Sequence, residues 1–164
     1  FMKKIVHLGL ACAAVVVLFF VFPGSSTPEE KIQKRLLQME RDFSRGNGRL
    51  CSKGLTDDFR DGTSGIGKAD FRSILAQMVL TEKDKNTNQF LYRVVLPVEE
   101  MSIAVDPADP TRAHVDLVAV FEKLSGEEWR LFWKAAVSGD LIEGKDGWQI
   151  RQSTHVTLDG KPFR

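Results

Sequence analysis

The chain has 164 residues, with 23 Lys and Arg against 22 Asp and Glu, and a formal net charge of +1. Near-neutral charge with interspersed signs argues against a nucleic-acid partner, whose phosphates demand a basic excess. Two cysteines, Cys12 and Cys51, are too few for a disulfide scaffold.

After Met2-Lys3-Lys4 comes an apolar run from Ile5 to Phe22 in which only His7 is strongly polar. As a helix it would span about 27 Å, close to the roughly 30 Å of a bilayer's hydrocarbon core. Its length favours an uncleaved single-span anchor. A cleaved signal peptide, with Gly24-Ser25-Ser26 as the small residues for processing, stays open, and a lipoprotein signal at Cys12 is the weakest alternative. Lysines before the run and Pro28-Glu29-Glu30 after it place the N-terminus in the cytoplasm and export the remainder. The expected setting is a bacterial inner membrane, single-pass, with the following domain in the periplasm. Residues 1–22 are then the anchor, 23–28 a breaker-rich linker, and 29–164 one domain with a core of its own.

Thr27 caps a helix that opens with Pro28-Glu29-Glu30. Ile32, Leu36, Met39 and Phe43 recur at spacings of three and four, and Gly46-Asn47-Gly48 ends the helix. A short helix is expected over Arg49–Leu55, followed by Thr56-Asp57-Asp58-Phe59. Asp61 to Gly67 reads as a loop. A third helix is expected from Lys68 to Leu80, with Phe71, Ile74, Leu75 and Met78 toward the core. Cys51 reads as a small buried apolar residue.

Beyond residue 88 the period changes to two. Phe90, Tyr92, Val94 and Leu96 alternate, and the strand is expected to run past Pro97 through Met101, Ile103 and Val105. Val115, Leu117, Ala119 and Phe121 share one face of the next strand. Trp129, Leu131, Trp133, Ala135 and Val137 share one face of a longer one, mostly as core, with Phe132, Arg130 and Lys134 as an outward strip suited to an interface. Trp148, Ile150 and Gln152 begin the last strand, which runs toward His155-Val156. Three helices followed by long hairpin-connected strands make an α+β domain, helices on one face of an antiparallel sheet.

This order resembles the NTF2-like superfamily, which includes the SnoaL-like proteins and the ketosteroid isomerases. The likeness rests on Leu55-Thr56-Asp57-Asp58-Phe59, on Gly67-Lys68-Ala69-Asp70-Phe71 at the third helix, and on Lys145-Asp146-Gly147-Trp148-Gln149-Ile150 at the last strand. It covers about residues 29 to 158. It implies a cone: three helices packed on a curved antiparallel sheet that curls around a pocket. Family enzymes place Asp, His or Tyr in that pocket. The ketosteroid isomerase set of an oxyanion-binding Tyr, an acid and a base Asp is not matched here, since the single tyrosine, Tyr92, lies on the first strand. The resemblance puts Asp58 near the place of a pocket acid in several family enzymes, although its local sequence equally suits a helix cap or surface loop.

From the residues themselves, His114 and Asp116 lie two apart on a strand and so share a face. His155 can join them from the last strand as part of a general-base set. The bland alternative is solvent-facing polar residues. Metal binding needs three or more convergent ligands, and the exported part has two histidines and one distant cysteine. No phosphate loop, nucleotide fingerprint or serine elbow is present, so no cofactor is expected.

The expected function is a non-enzymatic, membrane-anchored accessory or protein-interaction domain on the exported face. Its expected partners are the bilayer, through Ile5–Phe22, and membrane protein subunits or a second copy, through the sheet. Gly9 to Ala14 is the small-residue side of the run best suited to helix packing. The alternatives are a small isomerase- or dehydratase-like enzyme using Asp58, Tyr92, His114, Asp116 or His155, and a binder of hydrophobic ligands in the cone.

Overall fold

The computed structural model describes residues 26–163. The apolar run Ile5–Phe22, and with it the expected anchor, lies outside the described residues. Among those described, no helix is long and apolar enough to cross a membrane.

Helix α1 (Pro28–Ser44) starts where the capping residues place it. The Thr27 hydroxyl accepts from Glu30 N and the Glu30 carboxylate accepts from Thr27 N, both at 3.2 Å. Its apolar stripe buries Ile32, Leu36 and Phe43 against the sheet. Gly46 then turns the chain at φ +68°, a left-handed conformation that glycine adopts without strain. The expected helix over Arg49–Leu55 is shorter: α2 (Gly48–Cys51) followed by a 3₁₀ turn at Ser52–Gly54. Cys51 is buried, and burial first, then Asp42, pushes its thiol up to about 12. It is a packed thiol whose surroundings disfavour the thiolate. Helix α3 (Lys68–Thr81) buries Leu75, while Ile74, expected in the core, is 42% exposed. Met78 and Phe71 are partly buried beside the core.

The largest correction concerns Leu55–Asp61. This stretch is a strand, β1, paired parallel with β6 (Gly147–Gly160). Asp57 and Asp58 disfavour a strand, but an open β6 edge supplies backbone partners that outweigh them. The sheet is therefore mixed, not wholly antiparallel. The expected single strand across Pro97 is two strands, β2 (Tyr92–Val95) and β3 (Ser102–Val105), separated by a 3₁₀ turn at Val98–Glu100. Both pair with successive lengths of β4 (Arg112–Ser125), and β5 (Glu128–Gly144) completes the order β1-β6-β5-β4-β2.

Register assigns the faces. Leu117 pairs with Val137 and Val137 with His155, whereas Asp116 pairs with Ser138 and Ser138 with Thr154. The first row faces the helices and the second faces away. A register shift falls where Phe121 pairs with Trp133 but Glu122 with Leu131, leaving Phe132 as the extra residue. A bulge of this kind flips the alternation. The expected Trp129-to-Val137 stripe is thus broken. Trp133 is buried and Phe132 packs on the core, while Leu131 is 46% exposed and Trp129 lies under the Arg93 guanidinium, 4.5 Å from its ring centre. Phe132 is accordingly not part of an outward strip.

Ile32 has no exposed surface, and Ile32→Ala is expected to cost about 3 kcal/mol through lost burial and a residual cavity. Urea unfolding should show a lower midpoint with an unchanged slope; an unchanged midpoint would contradict the assignment of this helix face to the core.

Candidate functional site

Among the hollows of the described residues, two that contain residues singled out from sequence lie on opposite sides of the sheet. The outer hollow, about 890 Å³, is lined by Asp58, Arg60, Arg112, His114, Asp140 and Arg151 among others. Most of its charged side chains are already paired, and Arg60 donates to the Gly65 carbonyl at 3.3 Å. Arg151 Nε donates to Asp58 at 3.0 Å and Arg112 Nε to Asp109 at 3.1 Å. The Thr56 hydroxyl first, then Arg151, hold the exposed Asp58 below the usual carboxylate range. Asp58 is thus a surface ion-pair partner and lies away from the space enclosed by the helices.

His114 and Asp116 share a face, as their spacing requires, and it is the outer one. His114 Nδ1 lies 2.7 Å from Asp140, and Nε2 lies 3.5 Å from Asp116 and 3.3 Å from the Ser138 hydroxyl. That hydroxyl donates in turn to Asp116. The Asp140 hydrogen bond leads the shift that holds His114 above the ordinary imidazole range, partial burial opposes it, and the charges of Asp116 and Asp140 add to it. Because the folded-state value is raised, the stabilising contribution is complete below the unfolded value of about 6.5 and is lost as pH rises through the folded value. Thermal melts from pH 5 to 9 should show this decline, and His114→Gln should flatten it. An unaltered slope in the variant would refute the assignment.

His155 does not join that cluster. It occupies the inner row beside Val137, where its Nδ1 lies 3.3 Å from Oδ2 of Asp61. Asp61 was legible in the sequence only as the start of a loop. In the structure it is the last residue of β1, buried, and its carboxylate holds the loop together. Oδ1 accepts from the backbone N and the hydroxyl of Ser64, each at 2.7 Å, and Oδ2 accepts from the Ser153 hydroxyl at 2.8 Å. Burial alone would raise its pKa. The Ser64 and Ser153 hydrogen bonds and His155 outweigh that and leave it below the carboxylate range. Thr63 locks the same corner, accepting from His155 N at 2.8 Å and donating to His155 O at 3.1 Å. In the tautomer that donates Nδ1–H to Asp61, Nε2 is an acceptor. Two signals could have marked Asp61: it shares strand parity with Phe59, and a serine follows three residues on.

His155 and Tyr92 both line the inner cavity, about 630 Å³, together with Ser64, Ile74, Met78, Glu82, Phe132, Trp133 and Phe163. This lies within the range of roughly 300–1,000 Å³ typical of small-molecule sites. Phe121 stacks on Trp133 at 4.9 Å, and the Trp133 indole N–H donates to the Thr157 hydroxyl at 3.1 Å. The Glu82 carboxylate accepts from Lys123 Nζ at 3.0 Å, and that ammonium sits 4.9 Å from the Tyr92 ring centre. The Tyr92 hydroxyl, followed by Glu82, holds Lys123 above the usual lysine range. Tyr92, Phe132, Trp133 and Phe163 form its aromatic wall, and Ser64, Gln77, Thr81, Glu82 and His155 add polar groups, His155 backed by Asp61 and Glu82 by Lys123. Of the five residues singled out from sequence, it brings together Tyr92 and His155 and excludes Asp58, His114 and Asp116. Among the described residues no three His, Cys, Asp or Glu side chains are grouped to hold a metal ion.

Comparison with solved structures defines the fold class as NTF2-like, also described as cystatin-like. An NTF2-like protein with a cystatin-like fold from Novosphingobium aromaticivorans superposes with a TM-score of 0.63 at 13% identity, covering 92% of this chain and 90% of that one. A protein of unknown function from Mycobacterium tuberculosis gives 0.62 at 13% identity, over 77% and 69%. A domain of unknown function with a cystatin-like fold from Nostoc punctiforme gives 0.57 at 18% identity, over 82% of each chain. At these identities the likeness is one of fold. No family model matches the sequence, and no curated protein does.

Proposed function

We propose that this is a non-enzymatic accessory domain, carried at the exported face of a bacterial inner membrane, that holds a small apolar ligand between its helices and its sheet. In this reading the sheet curls around the cavity as in a cone. The observation that carries it is the cavity of about 630 Å³ whose apolar wall is built by Ile74, Met78, Phe132, Trp133 and Phe163, with polar groups at Ser64, Gln77, Thr81, Glu82, Tyr92 and His155. Such a lining binds an apolar body by area, and the polar points orient it. Residues Ile5–Phe22 supply the membrane contact, and proximity raises the effective concentration of any membrane partner. The outer sheet face, where Val156 is 66% and Leu158 53% exposed, is the surface offered to membrane subunits or to a second copy.

Native mass spectrometry of the full chain extracted from membranes tests the ligand: a bound apolar molecule, lost in Trp133→Ala, is the expected result, and an empty protein with no affinity for apolar probes overturns it. Recovery of membrane subunits with the full chain but not with a chain lacking residues 1–22 tests the accessory role; equal recovery of both sinks it.

One observation favours a second reading, an isomerase- or dehydratase-like enzyme. A histidine whose Nδ1 faces a buried carboxylate is arranged as a general base through Nε2. Turnover abolished by His155→Gln, with ligand affinity retained, would select this reading over the first.

A further inference from the structure

Beyond β6 the chain turns back on itself. Gly160 has φ +73°, and Lys161 N donates to the Phe132 carbonyl at 3.3 Å. Lys161 and Pro162 are exposed, whereas Phe163 is half-buried and reaches into the inner cavity. Its ring centre lies 4.9 Å from that of Phe132, 5.3 Å from Tyr92, 5.4 Å from Phe121, 6.0 Å from Trp133 and 6.5 Å from Phe43. Against Tyr92, Phe121 and Trp133 it stands edge-on, at 74°, 86° and 87°. This is a favoured geometry for aromatic pairs. The cage is drawn from α1, β2, β4 and β5, so only the tertiary fold assembles it.

The holding forces are unequal. The ring is surrounded on several sides, but among the described residues the strap that carries it has one long backbone hydrogen bond and a proline that offers no N–H. A side chain packed this well on a connection this slight exchanges easily with another molecule offering the same surface.

We propose that Phe163 is an internal occupant of the ligand site, and that the natural ligand carries a planar aromatic ring which takes its place in the cage of Phe43, Tyr92, Phe121, Phe132 and Trp133. The inference rests on reading the cavity as a ligand site and adds the ligand class and the competitor. A site filled part of the time by its own chain binds with an affinity reduced by the open fraction, and removing the occupant restores it.

The test uses the full chain in detergent with two probes, 2-naphthol and its saturated counterpart decahydro-2-naphthol. Phe163→Ala is expected to bind 2-naphthol at least tenfold more tightly than the wild type, with a clearly smaller gain for the saturated alcohol. Phe163→Leu, which keeps apolar bulk without a ring, should fall between and covers the case in which the alanine variant folds poorly. Equal or weaker naphthol binding in both variants overturns the occupant role and shows Phe163 to be wall, while the cavity reading stands. Equal gains for both probes overturn the aromatic ligand class. No binding of either probe to any variant overturns the cavity reading itself.

Discussion

Asp61→Ala is expected to remove about 3 kcal/mol of stability, the cost of stripping a buried, multiply hydrogen-bonded carboxylate from its partners. Four groups lose their acceptor at once: Ser64 N, the Ser64 hydroxyl, the Ser153 hydroxyl and His155 Nδ1. They come from the loop after β1 and from β6, so the change unfastens the parallel strand pair as well as the corner of the cavity. Asp61→Asn keeps the shape and one carbonyl acceptor, and roughly half the loss is expected. The pH dependence has a definite sign. The folded-state pKa lies below the ordinary value, so Asp61 contributes stability above the unfolded pKa of about 3.9, and that contribution disappears as pH falls through the folded value. Urea unfolding followed by tryptophan fluorescence from pH 3 to 7 measures both effects. The deficit of the alanine variant should shrink as pH falls below about 3.9, because the charge-dependent part of the contribution is lost there. A deficit with no pH dependence, or no deficit at pH 7, would contradict the role assigned to the carboxylate.

Gly160→Ala is expected to cost about 2 kcal/mol and to free the strap that follows it. Two penalties coincide there. The backbone is left-handed, and an added methyl would overlap the Phe132 carbonyl oxygen and crowd Trp133 Cα at 3.0 Å. Gly126 is the matched control, also left-handed at φ +67° but with nothing within 4 Å of the added carbon. Gly126→Ala should therefore show only the conformational penalty, about 1 kcal/mol. Hydrogen exchange at Lys161 N should accelerate in Gly160→Ala and stay unchanged in Gly126→Ala. Comparable melting temperatures for the two variants would show that the close approach to Phe132 is not maintained in solution.

The inner corner and the outer cluster illustrate why similar residue pairs take different roles. His114 with Asp140 and His155 with Asp61 are both imidazole–carboxylate couples, at 2.7 and 3.3 Å. The shorter pair lies on the solvent side, where ionic contacts add little. The longer pair lies on the cavity side, next to Trp133, whose ring stands edge-on 5.4 Å from the imidazole. Register and burial decide which one faces the cavity, and neither is visible in a two-residue spacing.

Local signals carried much of the architecture. The capping box at Thr27, the three-four spacing from Ile32 to Phe43 and the glycines after it delimit α1. Period-two alternation and the turns at Asp106–Pro110, Ser125–Glu127 and Glu143–Gly147 delimit the long hairpins. These features are legible because each depends on neighbours within a few positions. They sufficed for the α+β class and the resemblance to the NTF2-like fold. The apolar run Ile5–Phe22 is likewise a property of sequence alone, and it remains the basis for proposing a membrane setting.

Tertiary contacts decided the rest. Leu55–Asp61 is a strand because the edge of β6, some ninety residues later, offers hydrogen-bonding partners that outweigh the low strand propensity of Asp57 and Asp58. One bulge at Phe132 turned that ring inward and Leu131 outward, reversing the faces that strict alternation assigns. Register across β4, β5 and β6 sent His114 and His155 to opposite sides of one sheet. The cavity, its buried Asp61 and the ring of Phe163 inside it all follow from those long-range pairings. Strand register and burial are set by partners distant in the chain, and a linear sequence displays only what lies near.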